Sequence, residues 1–310
     1  MLSGRKVAWR LAQLGAIALI LFFVWYALRK DLPGIAITLR TIRVRPLPLI
    51  ASCSIVFVSY AVLIETWRQV VGAWGGTLTF GEAARIWFIS NLGKWLPGKI
   101  WQITAMGAMS QRAGVSAIAA VGSSILIAVI NVLAGVALVF LTAGNALNIA
   151  PAVLAVLGGI AIVVTLVPNV VPAAARRLAK LFKRDISWPP IRQRSIVIAY
   201  VGCAIAWVLY GVAFQLFCAS VVPGLTGAPS DYVAVFTASY IAGYLFLPAP
   251  GGVGVREAVL VALLARYGAA TTATAAVIAV LSRVWLTALE LLPGLLLLAR
   301  SPKPQNPTPR

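Results

Sequence analysis

The residues best equipped for chemistry lie in two short stretches, each built around a proline-glycine break in apolar chain. The first is Asn91-Leu92-Gly93-Lys94-Trp95-Leu96-Pro97-Gly98-Lys99-Ile100-Trp101-Gln102. Proline ends a helix, and glycine lets the backbone turn. A helix restarting after Gly98 aims unpaired N–H groups and its positive dipole end at the break. With Lys94 and Lys99 beside it, such a place suits a phosphate or another anion. The competing reading is a cytoplasmic loop whose lysines only reach up to lipid headgroups. The second stretch is Leu247-Pro248-Ala249-Pro250-Gly251-Gly252-Val253-Gly254-Val255-Arg256-Glu257. Gly251, Gly252 and Gly254 allow close backbone approach, and Arg256 and Glu257 open the next helix. An ionisable residue inside a membrane costs about 2.5–3.5 kcal/mol on insertion scales, which marks it as a functional candidate. Glu257 also suits the positive end of a helix, a purely structural use. The candidate substrate-binding set is therefore Lys94, Pro97, Gly98, Lys99, Gln102, Pro250, Gly251, Gly252, Gly254, Arg256 and Glu257.

Arg283 and Glu290 lie in the last apolar run, seven residues apart and so on one helix face. About 10 Å of helix axis separates them, too far for a simple direct pair. Each needs a partner on another helix, and Glu65 and Arg256 are the candidates. Glu65, Arg283 and Glu290 thus read as coupling residues or as structural ion pairs. No catalytic residue is assigned. The chain has no His and seven acidic residues, with Asp31 and Asp231 isolated. Acid-base machinery is correspondingly scarce. Cys53, Cys203 and Cys218 sit in apolar stretches and read as small buried hydrophobes. Neither a metal nor a cofactor is expected.

The elements that must hold these residues are membrane helices. Of 310 residues, 61% are hydrophobic and 11% charged, against about 25% charged in a soluble domain. No Asp, Glu, Lys or Arg occurs over the 63 residues from Ala113 to Ala175. One span needs about 20 residues. Inside lipid every backbone N–H must be paired, and alternating strand patterns are absent, so the segments are helices. Spans are expected over Val7–Leu28, Leu47–Val71, Val115–Leu141, Ile149–Val167, Ile196–Val222 and Thr272–Leu298. Two broken hairpins are expected over Phe80–Ala113 and Asp231–Tyr267. The proline-rich tail, Ser301 to Arg310, reads as solvated and unstructured. The first span is followed by Arg29-Lys30-Asp31 rather than by a small-residue cleavage site, so it reads as a retained span and not a signal peptide.

The net charge of +19 would suggest nucleic acid in a soluble protein. In this chain it marks cytoplasmic span ends and the anionic lipid surface. The basic loop holding Arg176, Arg177, Lys180, Lys183, Arg184, Arg192 and Arg194 is expected in the cytoplasm. Both termini follow it there if the hairpins return to their own sides. Arg85 and Arg112 then mark the cytoplasmic boundary, and Trp87, Trp95 and Trp101 an interfacial belt.

The two breaks, Gly98 and Gly251, lie 153 residues apart. Each is preceded by an apolar helix and followed by a second short helix, a glycine and a full span. The single integral membrane domain, residues 1–310, reads as two halves, 7–142 and 149–298. Three full crossings per half would start the second half on the opposite face. The expected fold is an all-α polytopic membrane protein with about six spans, two broken re-entrant hairpins and an inverted repeat, a recurring transporter design.

At the two breaks the sequence resembles a known family. Gly93-Lys94-Trp95-Leu96-Pro97-Gly98-Lys99-Ile100-Trp101-Gln102 and Pro250-Gly251-Gly252-Val253-Gly254-Val255-Arg256-Glu257 are similar to the two motifs of the flippase-like membrane domain of the lysylphosphatidylglycerol synthetases, stand-alone relatives included. The likeness covers nearly the whole chain, and the second motif is the more specific. It implies translocation of a lipid with a modified headgroup, or of a polyprenyl-phosphate-linked sugar, across the cytoplasmic (inner) membrane. The full synthetases carry a soluble aminoacyl-transfer domain after the membrane part. This chain stops at Arg310, so that activity is expected to be missing and the protein is not expected to be an enzyme. Many relatives have Gly and an acidic residue after the first break, where this chain has Trp101 and Gln102. The expected partner is a membrane lipid with an anionic headgroup. Two other readings compete: a membrane-embedded glycosyltransferase using a polyprenyl-phosphate sugar, and a non-transporting partner of a glycosyltransferase or synthase.

Overall fold

The computed structural model describes residues 42–95, 100–143, 150–167, 192–246 and 252–299, with residues 37, 40, 170, 173 and 177. All regular structure among them is helical. The helices are α1 (Pro46–Ala73), α2 (Phe80–Asn91), α3 (Ile100–Arg112), α4 (Ala117–Thr142), α5 (Pro151–Leu166), α6 (Gln193–Val221), α7 (Pro229–Leu245), α8 (Val255–Arg266) and α9 (Thr272–Ala299), and a 3-10 turn, Leu92–Trp95, follows α2. The expected span Val7–Leu28, the basic loop and the tail lie outside the described residues.

Local chemistry sets the helix starts. Pro46, Pro151 and Pro229 occupy first-turn positions, where the missing N–H costs nothing and the fixed φ suits a helix. Thr79 and Glu82 form a reciprocal capping box on α2, with the Thr79 N–H donating to Glu82 at 2.8 Å. Asp231 does the same work on α7, accepting the Ala228 N–H at 2.8 Å. Ser116 caps α4 by accepting the Ala119 N–H at 3.1 Å.

Among the described residues four helices, α1, α4, α6 and α9, are long and apolar enough to cross a membrane. Helix α5, at 16 residues, is apolar but shorter than the about 20 residues of a full crossing. Helices α2 and α8 have 12 residues each. At 1.5 Å per residue they reach about 18 Å, well short of the about 30 Å hydrocarbon core.

Helices α1 and α6 pack antiparallel along their length. The Arg45 N–H at the start of α1 donates to Ser220 O at the end of α6, at 2.8 Å. Further along α1, Ser52 Oγ donates to Ala213 O at 2.7 Å. Nearer its other end, Thr66 lies against Gly202. The bundle thus has an Ala73 end, where α1 finishes, and an Arg45 end, where it begins.

The helix pair α2–α3 enters and leaves at the Ala73 end. A Cβ on Gly76, just before α2, would lie 2.6 Å from Val71 and 2.9 Å from Val115, which follows α3. The pair α7–α8 enters and leaves at the Arg45 end. Thr226, before α7, donates to Gly268 O, after α8, at 3.3 Å. Helix α4 runs from the first of these ends to the second, where Ala143 O accepts the Tyr267 hydroxyl at 2.7 Å. Each hairpin also packs on the long helix of the other half of the chain, α2 on α9 and α7 on α4.

Candidate functional site

The second break is held by backbone contact. Gly252 (φ 68°) faces Gly243 on α7, and a Cβ there would lie 2.5–2.6 Å from the Gly243 backbone atoms. Only a residue without a side chain permits that approach. It fixes the start of α8 against α7, so that a Cβ on Gly243 would in turn touch Arg256 Cβ at 2.9 Å. Glu257 Oε2 accepts the Gly254 N–H at 2.7 Å, which closes the first turn of α8.

Arg256 is 5% exposed. Its guanidinium carbon sits 5.2 Å from the Tyr240 ring centroid and 5.4 Å from that of Phe236. Cation–π attraction of this kind reaches about 2 kcal/mol when desolvated. Its Nη2 is buried with no hydrogen-bond partner among the described residues. A buried cationic donor left without an acceptor is costly and asks for a ligand or an ordered water. Glu257 Oε1 faces Arg283 Nη1 at 3.4 Å, with both side chains half-buried. Tyr60, Tyr210 and Arg256 all lie within electrostatic range of Glu290. Two arginines and two glutamates therefore share one region of the bundle.

Aromatic rings line its other side. Tyr60 meets Tyr210 at 6.0 Å and Phe88 at 5.5 Å. Tyr210 stacks on Phe236 at 5.7 Å, and Trp207 meets Tyr240 at 5.5 Å. Tyr60 stands near the midpoint of α1, and Trp207 and Tyr210 near that of α6. The cation is thus held at mid-depth rather than at a bundle end.

The first break is built differently. A Cβ on Gly93 would lie 2.6 Å from Gln102 N, so the 3-10 turn packs on the start of α3. The Gln102 amide donates to Asn91 Oδ1 at 2.5 Å and ties the hairpin across its tip. Trp101 is 56% exposed. Lys94 lies in the 3-10 turn, while Pro97, Gly98 and Lys99 lie outside the described residues. Pro250 and Gly251 also lie outside them.

Of the expected site residues, Gly252, Gly254, Arg256, Glu257 and Arg283 come together, with Glu290 near. Gln102 belongs to the other hairpin. The partner expected for Arg283 needs correction: it pairs with Glu257, one helix away, and not with Glu65. Glu65 is held within its own helix by Arg68 at 2.7 Å and by Gln69 at 3.0 Å, because residues three and four apart on a helix are neighbours. Trp87 is partly buried and packs against Trp67 at 6.3 Å, with its indole N–H buried. The sequence reasoning missed Tyr60, Tyr210, Phe236 and Tyr240. The available signal was a tyrosine inside an uncharged run, Tyr60 within Pro46 to Ile64.

No curated protein matches the chain. The family model described as the lysylphosphatidylglycerol synthase TM region matches residues 13–294. With its four long apolar helices, the chain is a multi-pass membrane protein and belongs to the lysylphosphatidylglycerol synthase transmembrane-region family.

Proposed function

We propose that the protein moves a lipid, one with an anionic headgroup, across the cytoplasmic membrane without altering it chemically. The observation that carries this reading is Arg256. It is a buried cation at mid-depth whose Nη2 has no acceptor among the described residues, at the tip of one of two hairpins that open at opposite bundle ends. A purely structural arginine in an apolar bundle would have its donors paired, because an unpaired one is expensive there. An anionic headgroup supplies the missing acceptor.

An inverted repeat with two re-entrant hairpins is part of the same reading. Its support is that the helix contacts keep their pattern when the halves are exchanged. Helix α1 pairs with α6, α2 with α9 as α7 with α4, and α3 with α4 as α8 with α9. The capping acids Glu82 and Asp231 occupy the same position on α2 and α7. The equivalent helices α1 and α6 run antiparallel, as a two-fold axis in the membrane plane requires. The Ala73 end is then cytoplasmic, because α6 starts there directly after the basic loop.

The test is reconstitution of the purified protein in liposomes with labelled phosphatidylglycerol and phosphatidylcholine in one leaflet. The expected result is movement of the anionic lipid with its mass unchanged. Arg256→Gln is expected to lower the rate by about tenfold or more, the scale of a lost charge-assisted contact. Chemical conversion of an added polyprenyl-phosphate sugar would overturn the reading in favour of an enzyme. Neither movement nor conversion would leave a partner protein of a synthase.

A further inference from the structure

Four rings, Phe88, Tyr60, Tyr210 and Phe236, run in one line from the first hairpin to the second. By residue type the line reads the same from both ends. Phe88 on α2 meets Tyr60 on α1 at 5.5 Å, and Phe236 on α7 meets Tyr210 on α6 at 5.7 Å. The two halves of the line join where Tyr60 and Tyr210 meet, at 6.0 Å with their planes 79° apart. The contacts of α1 with α6 place this junction near the centre of their antiparallel pairing, between Ser52–Ala213 and Thr66–Gly202. Tyr60 and Tyr210 thus stand at like places on α1 and α6 and touch each other. Residues of that kind lie on the axis that exchanges the halves. The charged residues of the site lie to one side of it. Arg256, Glu257, Arg283 and Glu290 all belong to the second half, whereas the positions matching Arg256 and Glu257 on α3 hold Trp101 and Gln102.

We infer that Tyr60 and Tyr210 form a single central gate that a headgroup must pass between the two hairpin mouths. This rests on the translocation reading above. Tyr60 is 4% exposed, and its ring is packed from both sides. The two rings therefore fill the space between Phe88 of the first hairpin and Phe236 of the second. A residue pair on the axis keeps the same relation to either half, so one pair serves passage from both faces. The rings do this by excluded volume and by their π faces; a phenylalanine pair preserves both. A headgroup leaves the gate toward Arg256 past the Phe236 ring, on which the guanidinium already sits.

The experiment measures, in proteoliposomes, the rate of anionic relative to zwitterionic lipid movement for wild type, Tyr60→Ala, Tyr210→Ala, the double variant and both Tyr→Phe variants. If the rings are the gate, each alanine variant lowers the selectivity ratio by about tenfold through leak of the zwitterionic lipid. The two single changes then act alike although they lie in different halves. The double variant adds little to either, because parts of one unit do not add. Both Phe variants keep the wild-type ratio. Phe217→Leu is the off-axis control; it removes a ring stacked on Trp285 at 4.7 Å and is expected to keep the ratio. Wild-type selectivity in the folded alanine variants, or loss of it in the Phe variants, would overturn the gate. A selectivity loss that follows thermal stability across all variants, Phe217→Leu included, would reduce the pair to packing and overturn it as well. A wild-type protein that moves no lipid would instead remove the translocation reading beneath it.

Discussion

Gly252→Ala tests the contact that seats the second hairpin, and Gly268→Ala supplies its internal control. The two glycines share a left-handed backbone, with φ 68° and 67°. An alanine in that region costs about 1–2 kcal/mol, offset by about 0.4–1 kcal/mol from a less flexible unfolded chain. That contribution is common to both. They differ in what a new methyl group meets. At Gly268 nothing lies within 4 Å, whereas at Gly252 the Gly243 O, C and Cα lie at 2.5–2.6 Å. Those atoms are helix backbone and cannot rotate away. The extra cost is of the overpacking kind, about 1–3 kcal/mol. Gly268→Ala is therefore expected to cost about 1 kcal/mol, and Gly252→Ala about 2–4 kcal/mol. Because α8 starts from this contact, Gly252→Ala also shifts Arg256 off the Phe236 and Tyr240 rings. The assay pairs thermal unfolding in detergent with lipid movement in proteoliposomes. Gly252→Ala is expected to melt earlier than Gly268→Ala and to lose most transport, while Gly268→Ala keeps it. Equal melting temperatures and equal transport in the two variants would refute the close-contact reasoning.

Glu257→Gln keeps the bond to the Gly254 N–H but weakens the 3.4 Å pairing with Arg283. Transport is expected to fall while the protein still melts within a few degrees of wild type; unchanged transport would make the pair structural. Gln102→Leu removes the bond to Asn91 across the first hairpin tip, at about 0.5–1.5 kcal/mol. Hydrogen exchange is expected to rise around the 3-10 turn and not in α8. Ser52→Ala deletes the hydroxyl that donates to Ala213 O. Interhelical bonds of this kind in membranes average about 0.6 kcal/mol, so a drop in melting temperature of many degrees would show that Ser52 does more than bridge α1 and α6. Glu82 lies outside the four spanning helices, and its bonds from the Thr79 N–H and hydroxyl hold its carboxyl below the usual range. A depressed folded value contributes stability above the unfolded pKa, which is lost as pH falls through the folded one. Protection of the first amides of α2, relative to their intrinsic exchange rates, is therefore expected to fall on acidification, and Glu82→Gln is expected to abolish that pH dependence.

The two hairpins are alike in sequence and part company in space. Both breaks carry prolines and glycines, and both put an acid three residues into the leading arm, Glu82 and Asp231. Their tips differ because the residues after the break differ, amide against amide at Asn91–Gln102 and charge against charge at Glu257–Arg283. Arg283 illustrates why partner choice was illegible. Helical spacing gives the face on which a residue stands, and neighbours from other helices depend on crossing geometry that no single helix encodes. Glu65 took the nearest cation in its own chain, Arg68, because a pair three residues apart needs no tertiary structure at all.

Residue order alone was enough to establish that the chain lies in a membrane, that it is helical, and where its helices start and break. Those facts follow from backbone hydrogen bonding in lipid, from caps and from proline, all local in origin. It also marked Arg256 and Glu257, since charge is rare in such a chain and conspicuous wherever it occurs. The assembled bundle was needed to learn that the hairpins open at opposite ends, that Arg256 lies over two rings with one donor unpaired among the described residues, and that Tyr60 meets Tyr210. Those outcomes depend on the antiparallel docking of α1 on α6. That docking joins residues about 150 positions apart, a relation that side-chain packing sets and periodicity does not reach.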